Sequence, residues 1–237
     1  MTAWQQNLRR RFDRAAAGYD ALAQLQQQSA QRLLMALQPV LASSPKPLNI
    51  LDVGSGTGWL IKQLQAAQPS AWCCALDLSE GMLRSLSAGA NERVQRVCAD
   101  ASVLPMASSA FDLVVSNFAL HWCDDPLQVL NELHRVCVPG GQAFCVIPVS
   151  GSLSARGDTR TTGASLLPLA TWQHALAASP WTLRQADSET YEEFHDSPTA
   201  WLSTLRALGV TAQRPAASVN ALSPRQALQQ LHRRLES

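Results

Sequence analysis

Three glycines at alternate positions, Gly54, Gly56 and Gly58, are the first residues in this sequence whose spacing could support chemistry. They follow an apolar run that predicts a buried strand, and a helical pattern begins directly after them. Glycine has no Cβ, so such a loop can turn sharply and let a ligand lie against its backbone. The N–H groups at the start of the following helix favour polar or anionic ligand groups. The stretch therefore predicts a strand–turn–helix site for a nucleotide.

The spacing of these glycines restricts the type of nucleotide. The dinucleotide fingerprint G-x-G-x-x-G would need a glycine at position 59, where the sequence has Trp59. A phosphate-binding P-loop would need Gly-Lys-Ser or Gly-Lys-Thr, and the loop has neither. Asp52 precedes the loop, which leaves the pattern apolar-Asp-apolar-Gly-x-Gly-x-Gly. On this stretch alone, a glycine-rich turn without a ligand is an open alternative.

Acidic and amide side chains follow the later predicted strands. Asp77 ends the second apolar run, about 20 residues after the loop, where an acidic side chain can accept hydrogen bonds from ribose hydroxyls. The alternative is a plain turn residue, because Ser79 could cap the next helix. Asp100 and Asn117 follow the third and fourth runs. Parallel strands bring their carboxyl ends to one edge of a sheet, so we expect these side chains to face one ligand.

These side chains need a parallel sheet to bring them together, and residues 48–147 have the pattern of one. Strand-like runs alternate with helical runs five times, which is typical of a sheet with right-handed crossovers. We predict an α/β fold, with a Rossmann-like, doubly wound, mostly parallel sheet and helices on both faces. The predicted strands are 48–53, 71–77, 93–98, 111–116 and 142–147, and the predicted helices are 58–67, 79–88 and 126–137.

The residues on either side of this core complete a single predicted domain, 1–237. Helical spacing over residues 5–41 predicts an N-terminal cap, with Gly18 as a break between two helices. The later predictions are an irregular polar stretch over 150–163, a helix over 165–178, a strand within 181–194, and helices beginning at Ser197 and Ser223. The domain divides into a helical cap (1–44), a cofactor-binding core (45–150), and acceptor-side and C-terminal elements (151–237).

The composition excludes several classes of protein. A net charge of +1 over 237 residues argues against a broad nucleic-acid surface. No apolar run approaches ~18 residues and the N-terminus has no apolar signal core, so we expect no membrane span and no secretion signal. The six cysteines have no Cys-x-x-Cys spacing and fall mostly in apolar runs. We therefore expect buried thiols, no metal site and a cytoplasmic location.

Taken together, the motifs resemble those of class I S-adenosylmethionine-dependent methyltransferases over roughly residues 40–150. The matching segments are Leu51–Gly58, Ala75–Ser79, Cys98–Asp100, Phe111–Asn117 and Glu132–Gly141. The resemblance implies S-adenosyl-L-methionine as cofactor, with Asp77 at the ribose, Asp100 at the adenine amine and Asn117 beneath the methyl group. The implied cofactor-binding residues, which include the glycine loop at the methionine end, are Asp52, Gly54, Ser55, Gly56, Gly58, Asp77, Leu78, Asp100, Ala101, Asn117 and Phe118.

A narrower resemblance covers most of the chain. The segments that carry it are Phe12–Asp20, Leu25–Gln26, Ser29–Ala30, Ser116–Cys123 and Leu205–Thr211, which are similar to those of the malonyl-acyl carrier protein O-methyltransferases. That family implies methyl transfer to the free carboxylate of malonyl-acyl carrier protein, or of malonyl-coenzyme A, early in biotin synthesis. A carboxylate is already ionised near pH 7, since carboxyl groups titrate near pH ~4. The reaction therefore needs positioning and a dry site rather than a general base.

Four residues are candidates for the acceptor side of this site. Arg206 is the first candidate for holding the malonyl carboxylate, because a guanidinium binds a carboxylate bidentately, and a surface arginine is the alternative. Tyr19 is a candidate for closing the site from the N-terminal helices, although a core aromatic needs no such role. His121 and Trp122 follow the fourth strand and are candidates to line the acceptor pocket. A carboxylate acceptor makes a general-base role for His121 unnecessary.

The resemblance also implies an acidic acyl carrier protein as partner, with no nucleic acid and no membrane, and we expect a monomer. The arginines that could meet this partner are Arg9, Arg10, Arg11, Arg14, Arg156 and Arg160. Members of the family usually continue past the last helix into a further strand, whereas this chain ends at Ser237. The expectation is a sheet without its final edge strand, which would leave the neighbouring edge unpaired.

Three other functions stay open on the sequence. The chain could methylate another small acceptor, such as a phenol, a quinone precursor or a polyketide acid, and an acceptor that must lose a proton would need His121 as base. It could bind S-adenosylmethionine without catalysis and act through partners. A nicotinamide-dependent oxidoreductase is the least favoured, because Trp59 interrupts the dinucleotide fingerprint.

Overall fold

The computed structural model describes residues 1–86, 92–153 and 166–210. Its helices are α1 (Ala3–Ala15), α2 (Tyr19–Leu22), α3 (Gln24–Ser43), α4 (Trp59–Ala67), α5 (Glu80–Ser85), α6 (Pro126–Val136), α7 (Leu169–Ala178) and α8 (Pro198–Ala207). Its strands are β1 (Asn49–Val53), β2 (Trp72–Asp77), β3 (Val94–Cys98), β4 (Phe111–Asn117), β5 (Cys137–Val146) and β6 (Ser150–Leu153). Short 3-10 turns lie at Ala16–Gly18 and Leu120–Trp122.

Five parallel strands form one sheet in the order β3-β2-β1-β4-β5, which confirms the predicted α/β fold. β1 lies at the centre, where Asp52 is level with Ala75 of β2 and Val115 of β4. The chain builds β2 and β3 on one side of β1 and then crosses to place β4 on the other. Ligands in such sheets bind beyond the carboxyl ends of the strands, in the crevice where the order reverses. The crevice between β1 and β4 is therefore the expected site.

Helices cover both faces of the sheet, as predicted. On one face α3, α4 and α5 pack on strand residues such as Ile50 and Val115. On the other face α6 and α7 pack on residues such as Leu51 and Val114. Neighbouring residues of a strand point to opposite faces, so both faces of each central strand are buried. This explains why the strands have continuous apolar runs in the sequence rather than an alternating pattern.

The N-terminal cap consists of α1, α2 and α3, and the predicted break at Gly18 is confirmed. α1 begins with a capping box, in which the Thr2 hydroxyl accepts from the Gln5 N–H at 3.2 Å and the Gln5 side chain accepts from the Thr2 N–H at 2.8 Å. Further along α1, Asp13 Oδ1 accepts from the Ser79 hydroxyl at 2.7 Å. The cap is thereby tied to the segment that follows β2.

The strand predicted within residues 181–194 is wrong, since the described stretch 166–210 contains helices and irregular structure only. Nearly all side chains from 182 to 194 face solvent, and Phe194 is 88% exposed. An extended segment gains stability as a strand only by pairing with a neighbour and burying one face. This segment does neither among the described residues, so its apolar residues alone do not make it a strand.

The ends of several elements differ from the prediction. β5 begins at Cys137 rather than at residue 142, because its pairing with β4 continues through the glycine turn with a register shift. Phe111 is level with Cys137, whereas Leu113 is level with Gln142. Gly140, with φ of +78°, lets the chain absorb the extra residues without leaving the sheet. β6 forms within the stretch predicted to be irregular, and α5 is shorter than the predicted helix 79–88.

Other predictions concern residues outside the described ranges. They are the helix beginning at Ser223, the role of Arg156 and Arg160, and the expectation that no edge strand follows that last helix. Within the ranges that are described, no helix has the length and apolar character needed to cross a membrane. The same residues contain no cluster of three or more metal-ligating side chains.

Glu132 and Arg135 of α6 hold the segment that leads from β3 to β4. The Glu132 carboxylate accepts from Arg135 at 2.7 and 2.8 Å and from the Leu104 N–H at 2.8 Å. Arg135 also donates to the carbonyls of Leu104 at 2.9 Å and Met106 at 2.8 Å. The hydrogen bonds from Arg135 lower the pKa of Glu132, which keeps the carboxylate ionised. We call this set of hydrogen bonds the Glu132–Arg135 clasp. Because Asp100 lies at the start of the segment, the clasp also helps to fix the carboxyl end of β3.

We expect Arg135→Met to lower the free energy of unfolding by about 1–3 kcal/mol, because the Glu132 carboxylate and two carbonyls lose the guanidinium that donates to them. Chemical denaturation measures this change. Arg184→Met, at an exposed arginine in the irregular segment, is the matched control and should change the value by less than about 0.5 kcal/mol. Equal effects of the two substitutions would rule out the clasp as a stabilising contact.

Candidate active site

The glycine loop between β1 and α4 has a backbone that requires glycine. Gly54 and Gly58 have φ values of +74° and +81°, which side chains disfavour. A Cβ on Gly54 would lie 2.1 Å from the Cβ of Ala119, and one on Gly58 would lie 2.1 Å from Cδ1 of Leu86. Gly58 also begins α4, whose N-terminus receives no side-chain cap from the described residues. Its first N–H groups therefore suit a polar or anionic ligand group.

Asp77, at the end of β2, holds the glycine loop in place. One carboxylate oxygen accepts from the Gly56 N–H at 2.9 Å and the other from the Ser79 N–H at 2.8 Å. Burial raises the pKa of Asp77 to about 6, although these backbone hydrogen bonds act in the opposite direction. Each carboxylate oxygen has a second lone pair, so the side chain keeps acceptor capacity for a ligand hydroxyl. The turn and ribose interpretations of Asp77 are thus compatible.

Asp52 is the most deeply buried acidic side chain of this site. It is 1% exposed, and no described donor reaches its Oδ2. Burial raises the pKa of Asp52 to about 8, with the nearby charge of Asp77 as the second cause. A buried carboxyl oxygen without a donor is costly unless something else binds it. The position therefore indicates a ligand group that donates hydrogen bonds.

Asp52 lines an open cavity between the glycine loop, α2, α3 and the end of β4. Two further lining residues, Ser55 and Gln26, also have a buried oxygen (Oγ and Oε1) without a partner in the described part of the chain. A group with several N–H donors would satisfy these oxygens. The ammonium group at the methionine end of S-adenosylmethionine has three such donors. The residues present therefore fit the methionine end of that cofactor.

Asn117, expected beneath the methyl group, reaches the cavity wall but uses its amide to hold α3. Its Nδ2 donates to the Gln26 carbonyl at 2.9 Å, and its Oδ1 accepts from the Ser29 hydroxyl at 2.6 Å. Phe118, the next residue, has φ of +54°, and its N–H donates to the Val146 carbonyl at 3.0 Å. A non-glycine residue in this conformation is strained, and such strain concentrates at functional sites.

Asp100, expected at the adenine amine, is contacted by the N-terminal helix. Its carboxylate accepts from Gln5 Nε2 at 2.5 Å and from the Ser102 N–H at 2.9 Å. Gln5 presents an NH₂ group, the same type of donor as the adenine amine. Leu78 packs with Trp4 of α1 in a small apolar cluster beside it. An adenine bound here would share or replace a contact that α1 makes.

Of the four acceptor-side candidates, Tyr19 lines the cavity, whereas His121 and Trp122 lie in an aromatic group with residues of α1. Burial together with the charges of Asp77 and Asp20 raises the pKa of the Tyr19 hydroxyl, which therefore remains a neutral donor. His121 is buried with its ring 4.6 Å from that of Trp122. Trp122 in turn contacts the rings of two α1 residues, Trp4 at 6.3 Å and Phe12 at 5.8 Å.

Arg206 lies elsewhere. It is exposed on α8 and does not line the described cavity. The end of α8 approaches α1, since a Cβ on Gly209 would stand 3.4 Å from the backbone of Arg11. The structure therefore brings Tyr19 to the cavity and leaves Arg206 on the surface, so a contact between Arg206 and the malonyl carboxylate stays a prediction.

Sequence reasoning assigned no role to Gln26 or Gln5. Gln26 belongs to the Leu25–Gln26 pair of the family resemblance and lies on the helix face that buries Ala23 and Ala30. A glutamine in an otherwise apolar helix stripe was the available signal for it. Gln5 belongs to a Thr-x-x-Gln capping pattern, which predicts the start of α1 and gives no signal of the contact with Asp100.

Comparisons with known proteins agree with this site. Residues 51–145 match the family model described as a methyltransferase domain. The malonyl-acyl carrier protein O-methyltransferase of Methylococcus capsulatus is 34% identical over 216 residues, which cover 86% of this chain and 77% of that protein. The chain belongs to this family. The Erwinia pyrifoliae protein of the same name is 35% identical over 234 residues, which cover 93% of this methyltransferase and 82% of that protein.

A solved structure supports the fold of this methyltransferase independently. The complex between the Haloferax volcanii Trm112 methyltransferase activator and a methyltransferase contains a chain that matches with a TM-score of 0.57. Its identity is 20%, over 70% of this chain and 74% of that chain. At this identity the likeness shows the fold alone. The methyltransferase domain itself implies S-adenosylmethionine as the methyl donor.

Proposed function

We propose that this methyltransferase transfers a methyl group from S-adenosylmethionine to the free carboxylate of a malonyl thioester. The proposed acceptor is malonyl-acyl carrier protein, with malonyl-coenzyme A carrying the same reacting group, in the early step of biotin synthesis that the family resemblance implies. The observation that carries the proposal is the cavity beside the glycine loop, whose lining residues Asp52, Ser55 and Gln26 have buried oxygens that need donors. Family membership supports the choice of acceptor.

The proposed cofactor contacts follow the strand ends. The N–H groups at the start of α4 and the acidic cavity would hold the methionine end, and Asp77 the ribose. Asp100 would take the adenine amine, with Leu78 and Ala101 beside it. Asp77 also fixes the loop through the Gly56 N–H, so one side chain couples the two halves of the cofactor site.

The proposed reaction needs no general base. S-adenosylmethionine supplies a methyl group activated by a positively charged sulfur. The malonyl carboxylate is ionised near pH 7, because carboxyl groups titrate near pH ~4. The chain contributes orientation and exclusion of water. In this proposal the neutral Tyr19 hydroxyl and the ring of Trp122 are walls of the acceptor space, and His121 supports Trp122 through a tilted ring contact.

A substitution at His121 separates this reaction from methylation of an acceptor that must lose a proton. His121→Phe keeps a ring beside Trp122 and removes the base. We expect kcat for malonyl transfer to stay within about 3-fold of wild type, whereas loss of a general base costs about 100-fold or more. A loss of that size, with unchanged thermal stability, would favour a phenol-like acceptor.

The direct test is a transfer assay with methyl-labelled S-adenosylmethionine and malonyl-acyl carrier protein, read by mass spectrometry. The expected product is the malonyl group heavier by one methylene, as a methyl ester. Succinyl-acyl carrier protein, whose carboxylate is one carbon further from the thioester, is the control for acceptor geometry. Cofactor binding by calorimetry without any ester would contradict the proposed reaction and favour a non-catalytic binding protein.

The proposed docking surface for the carrier is the outer face of α1. Arg10 and Arg14 are exposed there, and the contacts described for them are with carbonyls of their own helix. Arg9 and Arg11 are less available, since Arg9 lies 3.4 Å from Glu80 and Arg11 donates to Asn7 at 3.3 Å. An acidic carrier would meet the exposed pair first, and such complementarity acts mainly on the association rate.

We expect the double substitution Arg10→Glu with Arg14→Glu to lower kcat/KM for malonyl-acyl carrier protein about 10-fold at low salt and to flatten its salt dependence. The matched control is Arg184→Glu, a charge reversal of an exposed arginine outside α1. Steady-state measurements of kcat/KM from low to high salt test this expectation. If the wild-type rate does not change with salt, the basic surface on α1 has no part in docking.

We propose that the enzyme works as a cytoplasmic monomer. The expectation of buried thiols holds for Cys73, Cys74 and Cys137, whereas Cys98 is exposed at the end of β3 and Cys123 and Cys145 are partly exposed. Burial raises the pKa of Cys73 and Cys145 to about 12, so these thiols are poor nucleophiles and poor candidates for oxidation.

A further inference from the structure

Gln26 is one of three cavity-lining residues that have a buried oxygen without a partner in the described part of the chain, and it comes from the cap rather than from the glycine loop. Asp52 belongs to β1 and Ser55 to the loop, whereas Gln26 lies in the first turns of α3. Its Oε1 is buried and has no hydrogen-bond partner among the described residues. A glutamine oxygen in this state is as costly to leave unsatisfied as the hydroxyl of Ser55 beside the loop.

The surrounding contacts hold Gln26 at this position. Its own carbonyl accepts from Asn117 Nδ2 at 2.9 Å, which fixes the helix backbone against the end of β4. Ser29, one turn later, donates to the same asparagine at 2.6 Å. Ala23, the N-cap of α3, and Ala30, on the same side of that helix, are buried. The helix therefore sits tightly on the core, with Gln26 as a polar residue of that face at the cavity.

The charges around the cavity indicate which ligand group these oxygens face. The lining residues include the carboxyls of Asp20 and Asp52 and the neutral hydroxyl of Tyr19, and none of the described lining residues is basic. Asp77 adds a further carboxyl close to Asp52, which feels its charge. A cation with several N–H donors would be attracted to these carboxyls.

We propose that Gln26 is a specificity residue for the amino-acid end of the cofactor, where its Oε1 accepts a hydrogen bond from the ammonium group beside Asp52 and Ser55. This inference rests on the proposed function. An ammonium group has three N–H donors, which equals the number of buried oxygens that lack a partner on the described lining residues. A ligand that lacks the ammonium group leaves these oxygens buried and unsatisfied, so the site discriminates against it.

The test compares two ligands that differ only in this group, S-adenosylhomocysteine and its desamino analogue, by calorimetry. We expect wild type to prefer S-adenosylhomocysteine by about 100-fold. In Gln26→Leu this ratio should fall about 10-fold through weaker binding of S-adenosylhomocysteine, with binding of the desamino analogue unchanged. Gln31→Leu, the same substitution at an exposed position of α3, should keep the wild-type ratio.

Gln26→Glu makes the test independent of whether the leucine variant folds. Glutamate has nearly the same shape and keeps an acceptor oxygen, so we expect its ratio to equal or exceed that of wild type. A ratio in Gln26→Leu within about 2-fold of wild type, or a fall in Gln26→Glu, would overturn this inference alone. If wild type binds neither adenosyl ligand, the proposed function fails and this inference fails with it.

Discussion

Gly54→Ala is expected to abolish measurable cofactor binding and to lower the free energy of unfolding by about 2–5 kcal/mol. Two causes add. The φ of +74° costs alanine about 1–2 kcal/mol. The new methyl group would stand 2.1 Å from the Cβ of Ala119, so the chain after β4 must move, and forced overpacking of this kind costs about 1–3 kcal/mol.

A second substitution separates these causes. Ala119→Gly removes the clashing Cβ, and the nearest remaining atom, the Ala119 Cα, would lie at an ordinary 3.5 Å. The double variant should therefore recover the packing cost and keep the backbone cost. We expect a coupling of about 1–3 kcal/mol in a double-mutant cycle measured by chemical denaturation. Additive losses in the cycle would mean that the two residues do not limit each other.

Gly56→Ala is the control within the same loop. Gly56 also has a positive φ, of +56°, but its Cβ would meet no atom within 4 Å. We expect a loss of about 1–2 kcal/mol from the backbone alone. The difference between the two alanine variants isolates the close approach of β1 to the turn after β4, which forms one wall of the cofactor site.

The sheet and its glycine loop could be predicted because local pattern determines them. The central strands are buried on both faces and so have continuous apolar runs, and the loop needs glycine where φ is positive. The segment 181–194 could not be predicted in the same way. A strand there depends on a pairing partner, and a run such as that ending at Phe194 contains no information about whether one is present.

The same distinction applies to the site. Asp52, the glycines and Asp77 lie on one strand–turn–helix–strand unit, so their spacing predicts that they meet. Gln5 and Gln26 reach the site from the cap helices, and their positions depend on how the cap packs on the sheet. Asn117 shows what a motif does not predict. Its position at the cavity could be predicted from the motif, whereas its hydrogen bonds to Gln26 and Ser29 of α3 could not.

Asp52→Asn is expected to weaken binding of S-adenosylhomocysteine by about 100-fold at pH 8 and to remove the pH dependence of binding. Burial, with the charge of Asp77 as a further cause, raises the pKa of Asp52 to about 8 in the cofactor-free protein. Below that pH the carboxyl holds a proton, and a bound ammonium group favours the ionised form. Binding therefore releases a proton in wild type.

The release of a proton fixes the direction in which ligand affinity changes with pH and the pH range of that change. Affinity in wild type should rise about 10-fold per pH unit from pH 6 to pH 8 and level off above. Among the neighbouring groups, Asp77 titrates at the lower edge of this window, and the Cys73 and Cys74 thiols, with pKa values of about 12 and 11, titrate above it. The raised pKa of Tyr19 keeps its hydroxyl neutral throughout. Calorimetry in two buffers of different ionisation enthalpy counts the released protons, and an affinity that does not vary from pH 6 to pH 8 would contradict the role.

The Asp52 carboxyl should also destabilise the cofactor-free protein as pH rises. Its pKa is raised on folding, whereas the pKa of a salt-bridged carboxylate is lowered. The ordinary pKa of an aspartate, 3.8, applies in the unfolded chain, while the folded protein keeps its proton to about pH 8. Between these values only the folded state is protonated at Asp52, so stability falls as pH rises. Asp52→Asn has no such proton, and we expect its advantage in unfolding free energy over wild type to widen by several kcal/mol from pH 5 to pH 8.

A constant difference across this range would show that burial of Asp52 carries no cost. A widening one, together with weaker ligand binding, would mean that the carboxyl is maintained for the cation it binds, at the expense of stability.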